Sequence, residues 1–177
     1  MKPHILPAIR SIKDLEKLFK TDYKTCVLLD THIGHLNGIM KLIQQHQLKP
    51  FMHIDLIKGM SHDEFACEYI IQTYRPKGIV STKTKVIKKA KALGVVTIFR
   101  VFIIDSHALA RSIELIQRIE PDYVEVLPGI ADKVIQEIHQ KTGVTVIAGG
   151  LINTQDEVSR AIQSGAAYIT TSEQSLW

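Results

Sequence analysis

The chain has 177 residues, of which 45% are hydrophobic and 23% charged, and its formal net charge is +4. This composition is typical of a soluble single-domain protein, long enough to bury roughly 70% of the surface that its unfolded chain would expose. No apolar run approaches the ~20 residues that cross a bilayer and the N-terminus lacks a signal-peptide core, so we expect a cytoplasmic protein with no membrane partner.

Short β-rich runs alternate with helical patterns along the whole chain. In chain order, the strand–helix pairs are predicted at Ile5–Ile9 with Ile12–Phe19, Cys26–Leu29 with Leu36–Gln45, Phe51–Ile57 with a helix from the Ser61–Glu64 capping box through Tyr74, Gly78–Val80 with Lys85–Leu93, Val95–Ile104 with Ala108–Ile119, Tyr123–Leu127 with Ile130–Gln140, and Val144–Ile147 with Gln155–Gln163, before a last strand at Tyr168–Thr170. Eight strands, each followed by a helix except the last, predict one α/β domain over residues 1–177, a small (β/α)8 TIM barrel with a short or missing eighth helix. An open doubly wound sheet is the alternative.

Two short motifs near the C-terminus predict a phosphate-binding site. One apolar run ends in Gly149-Gly150, and the last predicted strand runs into Thr171-Ser172. In a (β/α)8 barrel the loops after strands seven and eight bind phosphate, because glycine lets backbone N–H groups approach an oxyanion and hydroxyl groups add donors. The N-terminus of the next helix would favour the negative charge. We therefore expect these four residues to bind the phosphate of a small molecule.

Polar side chains follow several other strands, where a barrel presents its functional face. His53 and Asp55 are two residues apart in an apolar run, so both side chains should face the same way, either toward a ligand or as an internal pair. Glu125 should face the barrel interior, as a base, a hydroxyl acceptor, or the partner of Arg100 or Lys83 in a salt bridge. Arg100 interrupts another apolar run and needs a partner, which could be Glu125, Asp55 or a phosphate. These five residues are the predicted polar contacts of the ligand.

A basic segment follows the fourth predicted strand. Lys85, Lys88 and Lys89 share one face of a helix, a pattern that fits either contact with a nucleic-acid backbone or an ordinary solvated surface. The histidines and carboxylates show no spacing typical of a metal site, so we expect no metal.

Segments spread over almost the whole chain form a specific combination: His53-Ile-Asp-Leu-Ile-Lys-Gly59, Gly78-Ile-Val-Ser-Thr-Lys83, Arg100-Val-Phe-Ile-Ile-Asp-Ser106, Val124-Glu-Val-Leu-Pro-Gly129, Ala148-Gly-Gly-Leu-Ile152, and Thr171-Ser172 with Leu176-Trp177. Taken in order, they resemble the glycerol uptake operon antiterminator regulatory proteins of Gram-positive bacteria. The resemblance implies a (β/α)8 regulator that is not an enzyme and needs no cofactor. It would bind glycerol 3-phosphate as an effector and act on the leader mRNA of glycerol-utilisation genes so that transcription passes a terminator.

The resemblance also implies roles for the predicted site residues. The glycine pair, Thr171 and Ser172 would hold the phosphate, while His53, Asp55 and Glu125 would hold the glycerol hydroxyls. Two cations, Lys83 and Arg100, would neutralise charge, and the helix face of Lys85, Lys88 and Lys89 would be a candidate RNA surface. The sequence is compatible with a homo-oligomer as well as with a monomer.

An enzyme is the alternative from another functional class. A carboxylate such as Glu125 or Asp55 together with a cation such as Lys83 would suffice to abstract a proton next to a carbonyl group. The chain would then be an isomerase, epimerase or lyase of a small phosphorylated sugar. Glycerol 3-phosphate has no carbonyl, so the preferred ligand distinguishes the two hypotheses.

Overall fold

Eight parallel strands pair in sequence order, and the last pairs back with the first to close a barrel. The structure is a computed structural model that describes residues 4–177. Its elements are β1 (Ile5–Ile9), α1 (Ile12–Leu18), β2 (Thr25–Leu28), α2 (Ile33–Gln45), β3 (Lys49–His53), α3 (Glu64–Tyr74), β4 (Gly78–Ser81), α4 (Thr84–Ala92), β5 (Val96–Phe102), α5 (Ser106–Ile119), β6 (Tyr123–Leu127), α6 (Asp132–Thr142), β7 (Thr145–Gly149), α7 (Gln155–Gln163) and β8 (Ala166–Thr171). The predicted TIM barrel is confirmed, and after β8 the eighth helix is reduced to one 3-10 turn, Gln174–Leu176.

Two apolar layers support the barrel. Inside it, side chains from alternate strand positions pack together, among them Val27, Phe51, Val80 and Ile98. The other strand face packs against the inward stripes of the helices, which gives a second and larger layer between sheet and helices. Because the interior is filled with apolar side chains below its mouth, a ligand can enter the barrel only at an end of the strands.

Local sequence signals account for several helix ends. Ser11 caps α1, and Asp14 completes a capping box by accepting hydrogen bonds from the Ser11 and Arg10 N–H groups. Gly143 ends α6 at φ 68°, a left-handed conformation that glycine adopts without a steric penalty.

The third strand and the helix that follows it differ from the prediction. β3 ends at His53, and Ile54–Leu56 form a 3-10 turn, so Asp55 is not in a strand. The turn forms because the Asp55 carboxylate accepts three hydrogen bonds from the end of β4, which draws the backbone across to that strand. The predicted capping box at Ser61 is also wrong, because Asp63 is the N-cap of α3 and accepts from the Ala66 N–H.

No helix within residues 4–177 has the length and apolar character that crossing a membrane requires.

Both cysteines are buried free thiols, and burial raises the pKa of each to about 12.

Candidate functional site at the barrel mouth

An open cavity of about 150 Å³ lies at the carboxyl ends of β7, β8 and β1. Its size is well below the ~300 Å³ of pockets for drug-sized ligands, so it suits a small molecule. Its polar lining combines cations, an acid, hydroxyl groups and an amide: Arg10, Arg100, Glu125, Asn153, Thr170, Thr171 and Ser172. Apolar side chains complete the lining: Ala8, Val27, Leu29, Leu127, Leu151 and Ile152.

The two glycines after β7 have different surroundings. Gly150 is exposed, lines the cavity and has φ 76°, a conformation that L side chains rarely adopt. Gly149 is buried, and an ideal Cβ there would lie 2.5 Å from Thr170 Oγ1 and 2.6 Å from Glu125 Oε1. Gly150 therefore presents backbone to the cavity, whereas Gly149 leaves room for a buried polar layer.

The two hydroxyl residues after β8 also differ. Thr171 is buried and donates its hydroxyl proton to the Ile152 carbonyl at 2.9 Å, while it accepts from the Glu173 N–H. Its single donor is thus used to hold the loops after β7 and β8 together. Ser172 is exposed at the cavity, and Trp177 stabilises this segment by donating its indole N–H to the Thr171 carbonyl at 3.0 Å.

Glu125 is the centre of a buried polar layer. Its side chain is 2% exposed, and Oε2 accepts from Arg100 Nε at 2.6 Å while Oε1 accepts from the Thr170 hydroxyl. The strand register places Arg100 directly opposite Glu125, and Thr170 opposite Gly149. Both carboxylate oxygens are therefore engaged, and of the partners that the sequence left open for Arg100, Glu125 is the one it contacts.

His53 is a buried histidine whose ring nitrogens have no hydrogen-bond partner among the described residues. It is 2% exposed. Burial and the nearby Arg100 charge lower its pKa to about 4, so the imidazole is neutral near pH 7. A neutral imidazole offers one donor and one acceptor, and leaving both unsatisfied in a protein interior is costly. Such a group is suited to hydroxyl groups of a ligand.

Asp55 is bound to the end of β4. Its carboxylate accepts from the Ser81 hydroxyl at 2.7 Å, from the Thr82 N–H at 2.6 Å and from the Thr82 hydroxyl at 2.8 Å. Burial opposes ionisation of this carboxyl, but the three hydrogen bonds outweigh that cost and hold its pKa below the usual value. The carboxylate fixes the junction between β4 and α4.

The predicted lysines lie away from the mouth cavity. Lys83 Nζ donates to the His62 carbonyl at 2.9 Å and lines a different groove. Lys89 forms an ion pair with Glu68 on α3 at 2.6 Å, whereas Lys85 and Lys88 are exposed.

Arg10 is a residue of the cavity that the sequence prediction missed. It follows β1 directly, lines the cavity and forms an ion pair with Asp30 at 2.7 Å. Its position at the end of a strand was a usable signal, because functional side chains of a barrel follow the strands.

The helix after β7 contributes less than expected. α7 begins with a capping box, in which Glu157 accepts hydrogen bonds from the Asn153 and Thr154 N–H groups. These bonds lower the Glu157 pKa. A phosphate at this N-terminus would compete with a resident carboxylate, so the helix dipole is a poor source of phosphate affinity here.

The fold and the cavity define a (β/α)8-barrel protein whose polar site lies at the carboxyl ends of its strands. Residues 5–177 match the family model of the glycerol-3-phosphate responsive antiterminators, and the chain belongs to that family.

Two solved structures agree with this placement, and two further proteins are similar in sequence or in fold. The glycerol uptake operon antiterminator regulatory protein from Listeria monocytogenes is 39% identical, with a TM-score of 0.96 over 100% of this chain and 96% of that one. An antiterminator-related protein from Thermotoga maritima is 30% identical, with a TM-score of 0.87 over 100% and 99%. The uncharacterized protein YgcP of Escherichia coli is 29% identical over 97% of this chain and 91% of that protein. An orotidine 5'-phosphate decarboxylase from Pyrococcus horikoshii, at 17% identity and a TM-score of 0.70, shares the fold alone.

Proposed function

We propose that this protein is a glycerol-3-phosphate sensor that binds leader mRNA of glycerol-utilisation genes in the cytoplasm and prevents transcription termination. The observation that carries the proposal is the mouth cavity, which combines cations, exposed backbone and buried polar side chains in one small volume. The family supplies the responsiveness to glycerol 3-phosphate.

In this proposal, the phosphate of the ligand lies between the loops that follow β7 and β8. Gly150 offers exposed backbone, Ser172 offers a hydroxyl and Arg10 offers a guanidinium, all on the same cavity. Thr171 and Gly149 support the site without contacting the phosphate. Thr171 holds the two loops together through its hydrogen bond to Ile152, and Gly149 leaves room for the buried polar layer.

The glycerol hydroxyls would point toward the barrel interior. Arg100 uses one of its five N–H donors on Glu125 and keeps the others for a ligand. His53 supplies a neutral donor and acceptor, and Glu125 supplies remaining lone pairs. Asp55 acts through the β4–α4 junction that it holds, and Lys83 acts at long range from the neighbouring groove.

A sensor fits this arrangement better than an enzyme. A general base must lie within hydrogen-bond reach of the proton that it removes, and other hydrogen bonds to a carboxylate weaken it as a base. Glu125 has both oxygens engaged by Arg100 and Thr170, and Asp55 has both engaged by Ser81 and Thr82. Glu125 is held as a fixed acceptor, an arrangement that suits recognition of a hydroxyl group, whereas Asp55 is committed to the β4–α4 junction.

In the proposed mechanism, the ligand changes a pre-existing equilibrium between two conformations. A ligand can do this only through different affinities for the two states. By joining the loops after β7 and β8 to the polar layer inside the barrel, glycerol 3-phosphate would favour the conformation that binds RNA.

Thermal unfolding with millimolar glycerol 3-phosphate tests the ligand, with glycerol and inorganic phosphate as controls. At about 100 times the dissociation constant, a ligand of the native state adds about 2.7 kcal/mol of stability, which raises Tm by several degrees. Ser172→Ala should reduce this shift. Leader-RNA binding with and without the ligand then tests the output. A shift of equal size with phosphate alone, or turnover of a sugar phosphate that Glu125→Gln abolishes, would overturn the proposal.

A further inference from the structure

A second cavity lies on the outer surface of the barrel between α4 and α5. It encloses about 560 Å³, considerably more than the mouth cavity. Four cations line it, Lys83 and Lys85 from the start of α4 and Arg111 and Arg118 from α5. We call this the α4–α5 groove.

The cations of the groove are free of acidic partners. No ion pair within residues 4–177 involves Lys85, Arg111 or Arg118, and Lys83 Nζ contacts only a carbonyl oxygen, that of His62. Lysines farther along α4 do have acidic partners, Glu68 for Lys89 and Glu120 for Lys91. Within the described residues, all four cations that line the groove therefore lack an acidic partner, and on α4 Lys88 also lacks one but lies outside the groove.

The acids at the groove do not balance this charge. Among the described residues only two acids, Asp63 and Glu64, line it beside the four cations, and the Asp63 carboxylate also accepts from the Ala66 N–H as the cap of α3. Arg111 and Arg118 are seven residues apart on α5, so they lie about 10 Å apart along the helix axis, almost two turns. A cationic track of this length complements an extended anion with several charges.

We propose that the α4–α5 groove binds the phosphate backbone of RNA. This inference rests on the proposed function and assigns the surface at which RNA would bind. It replaces the face of Lys85, Lys88 and Lys89 with Lys85 and the two arginines of α5, because Lys89 is occupied by Glu68.

The lining of the groove also determines whether it can distinguish one RNA sequence from another. Within the described residues it contains no tyrosine, phenylalanine or tryptophan on which a base could stack. Contacts to phosphates supply affinity and orientation but carry no sequence information. Binding at the groove is thus strongly salt-dependent and tolerant of sequence.

Asp55 connects the wall of the α4–α5 groove to the end of β3. His53, with its two unpartnered nitrogens, is two residues before Asp55. Asp55 accepts from the N–H and the hydroxyl of Thr82, which itself lines the groove beside Lys83. A ligand that contacts His53 is therefore two residues from the carboxylate that positions the groove wall.

The test compares Arg111→Gln/Arg118→Gln with a control, Lys13→Gln/Lys20→Gln, which removes two charges from exposed positions of α1 and the loop after it. Binding of a fluorescent leader RNA is measured by anisotropy at several salt concentrations with glycerol 3-phosphate present. The groove variant should bind at least tenfold more weakly, and the slope of log K against log salt should become shallower by about 1.4 to 1.8, since each phosphate contact contributes ~0.7 to ~0.9. The control should match the wild type, and all three proteins should keep the thermal shift with ligand.

Four outcomes would overturn the assignment. Unchanged affinity and slope in the groove variant would show that RNA binds elsewhere, with the proposed function intact. An equal loss in the control would show that net charge alone matters. Lost readthrough in a purified transcription reaction, with RNA affinity retained, would assign the groove to a protein of the transcription machinery. Failure of the wild type to bind leader RNA would remove both the groove and the proposed function.

Discussion

Gly149 and Glu125 are in such close contact that β7 has no room for a side chain at this position. An ideal Cβ on Gly149 would lie 2.6 Å from Glu125 Oε1, a distance that real Cβ atoms essentially never show. The glycine that precedes the cavity is thus required by the buried carboxylate inside the barrel. The loop proposed to bind phosphate and the layer proposed to bind hydroxyl groups share this one backbone position.

Gly149→Ala should therefore displace Glu125 from Arg100 and Thr170. We expect a loss of about 1–3 kcal/mol in the free energy of unfolding, as for other overpacked interiors, together with a smaller thermal shift from glycerol 3-phosphate. Urea unfolding measures the first effect. The control is Gly38→Ala, where an added Cβ meets nothing within 4 Å in the middle of α2, so stability should rise by up to about 1 kcal/mol. Equal stability of Gly149→Ala and the wild type would contradict the crowding argument.

His53 should make stability depend on pH in a defined window. Its pKa is about 4 in the folded protein and ~6.5 in the unfolded chain, so between these values the unfolded state binds more protons. Stability is then fully present above pH ~6.5 and falls by up to about 3 kcal/mol as the pH drops toward 4. His53→Leu should flatten the curve of unfolding free energy between these limits. His107→Leu, at an exposed position of α5, is the control for replacing a histidine with leucine.

Much of the fold could be predicted because the signals are local and repeated. Alternation of apolar runs with amphipathic patterns fixed the number of strands, and helix ends were marked by residues such as Ser11 and Gly143. The error at β3 had a non-local cause. A run that reads as a continuous strand from Phe51 turns at Ile54 because Asp55 is bound by the end of β4, 26 residues farther along the chain.

The candidate site was predictable in its position but not in its pairing. The ends of strands identify Arg100, Glu125 and the glycine pair, whereas the choice among partners for Arg100 depends on which strands become neighbours and in what register. The separation of Lys83 from the mouth cavity is likewise set by the direction of a long side chain, which no local pattern encodes.

Arg10 and Asp30 form a pair that should tune ligand affinity. The Arg10 guanidinium lines the cavity but is held by Asp30 at 2.7 Å, on a half-exposed surface. Arg10→Gln should weaken binding of glycerol 3-phosphate about tenfold, since a charge-assisted contact to phosphate is worth about 1.5 kcal/mol or more. Asp30→Asn should leave binding unchanged or strengthen it, because it frees the cation. Isothermal titration measures both, and weaker binding in Asp30→Asn would show that the ion pair itself holds the site together.

Asp55→Asn should destabilise the β4–α4 junction and disconnect the ligand from the α4–α5 groove. The amide keeps one acceptor oxygen for the three donors of Ser81 and Thr82, so we expect a loss of about 1–3 kcal/mol at pH 7.

The sign of the pH dependence follows from the lowered pKa of Asp55 in the folded protein. The carboxylate stabilises the fold above the unfolded pKa of ~3.9, and this contribution is lost as the pH falls through the lower folded pKa. The difference between Asp55→Asn and the wild type should therefore shrink at acid pH. Asp22→Asn, at an exposed position before β2, is the control for replacing an aspartate with asparagine. If Asp55→Asn kept wild-type stability and RNA binding still responded fully to glycerol 3-phosphate, the β4–α4 junction would not be the connection between the two sites.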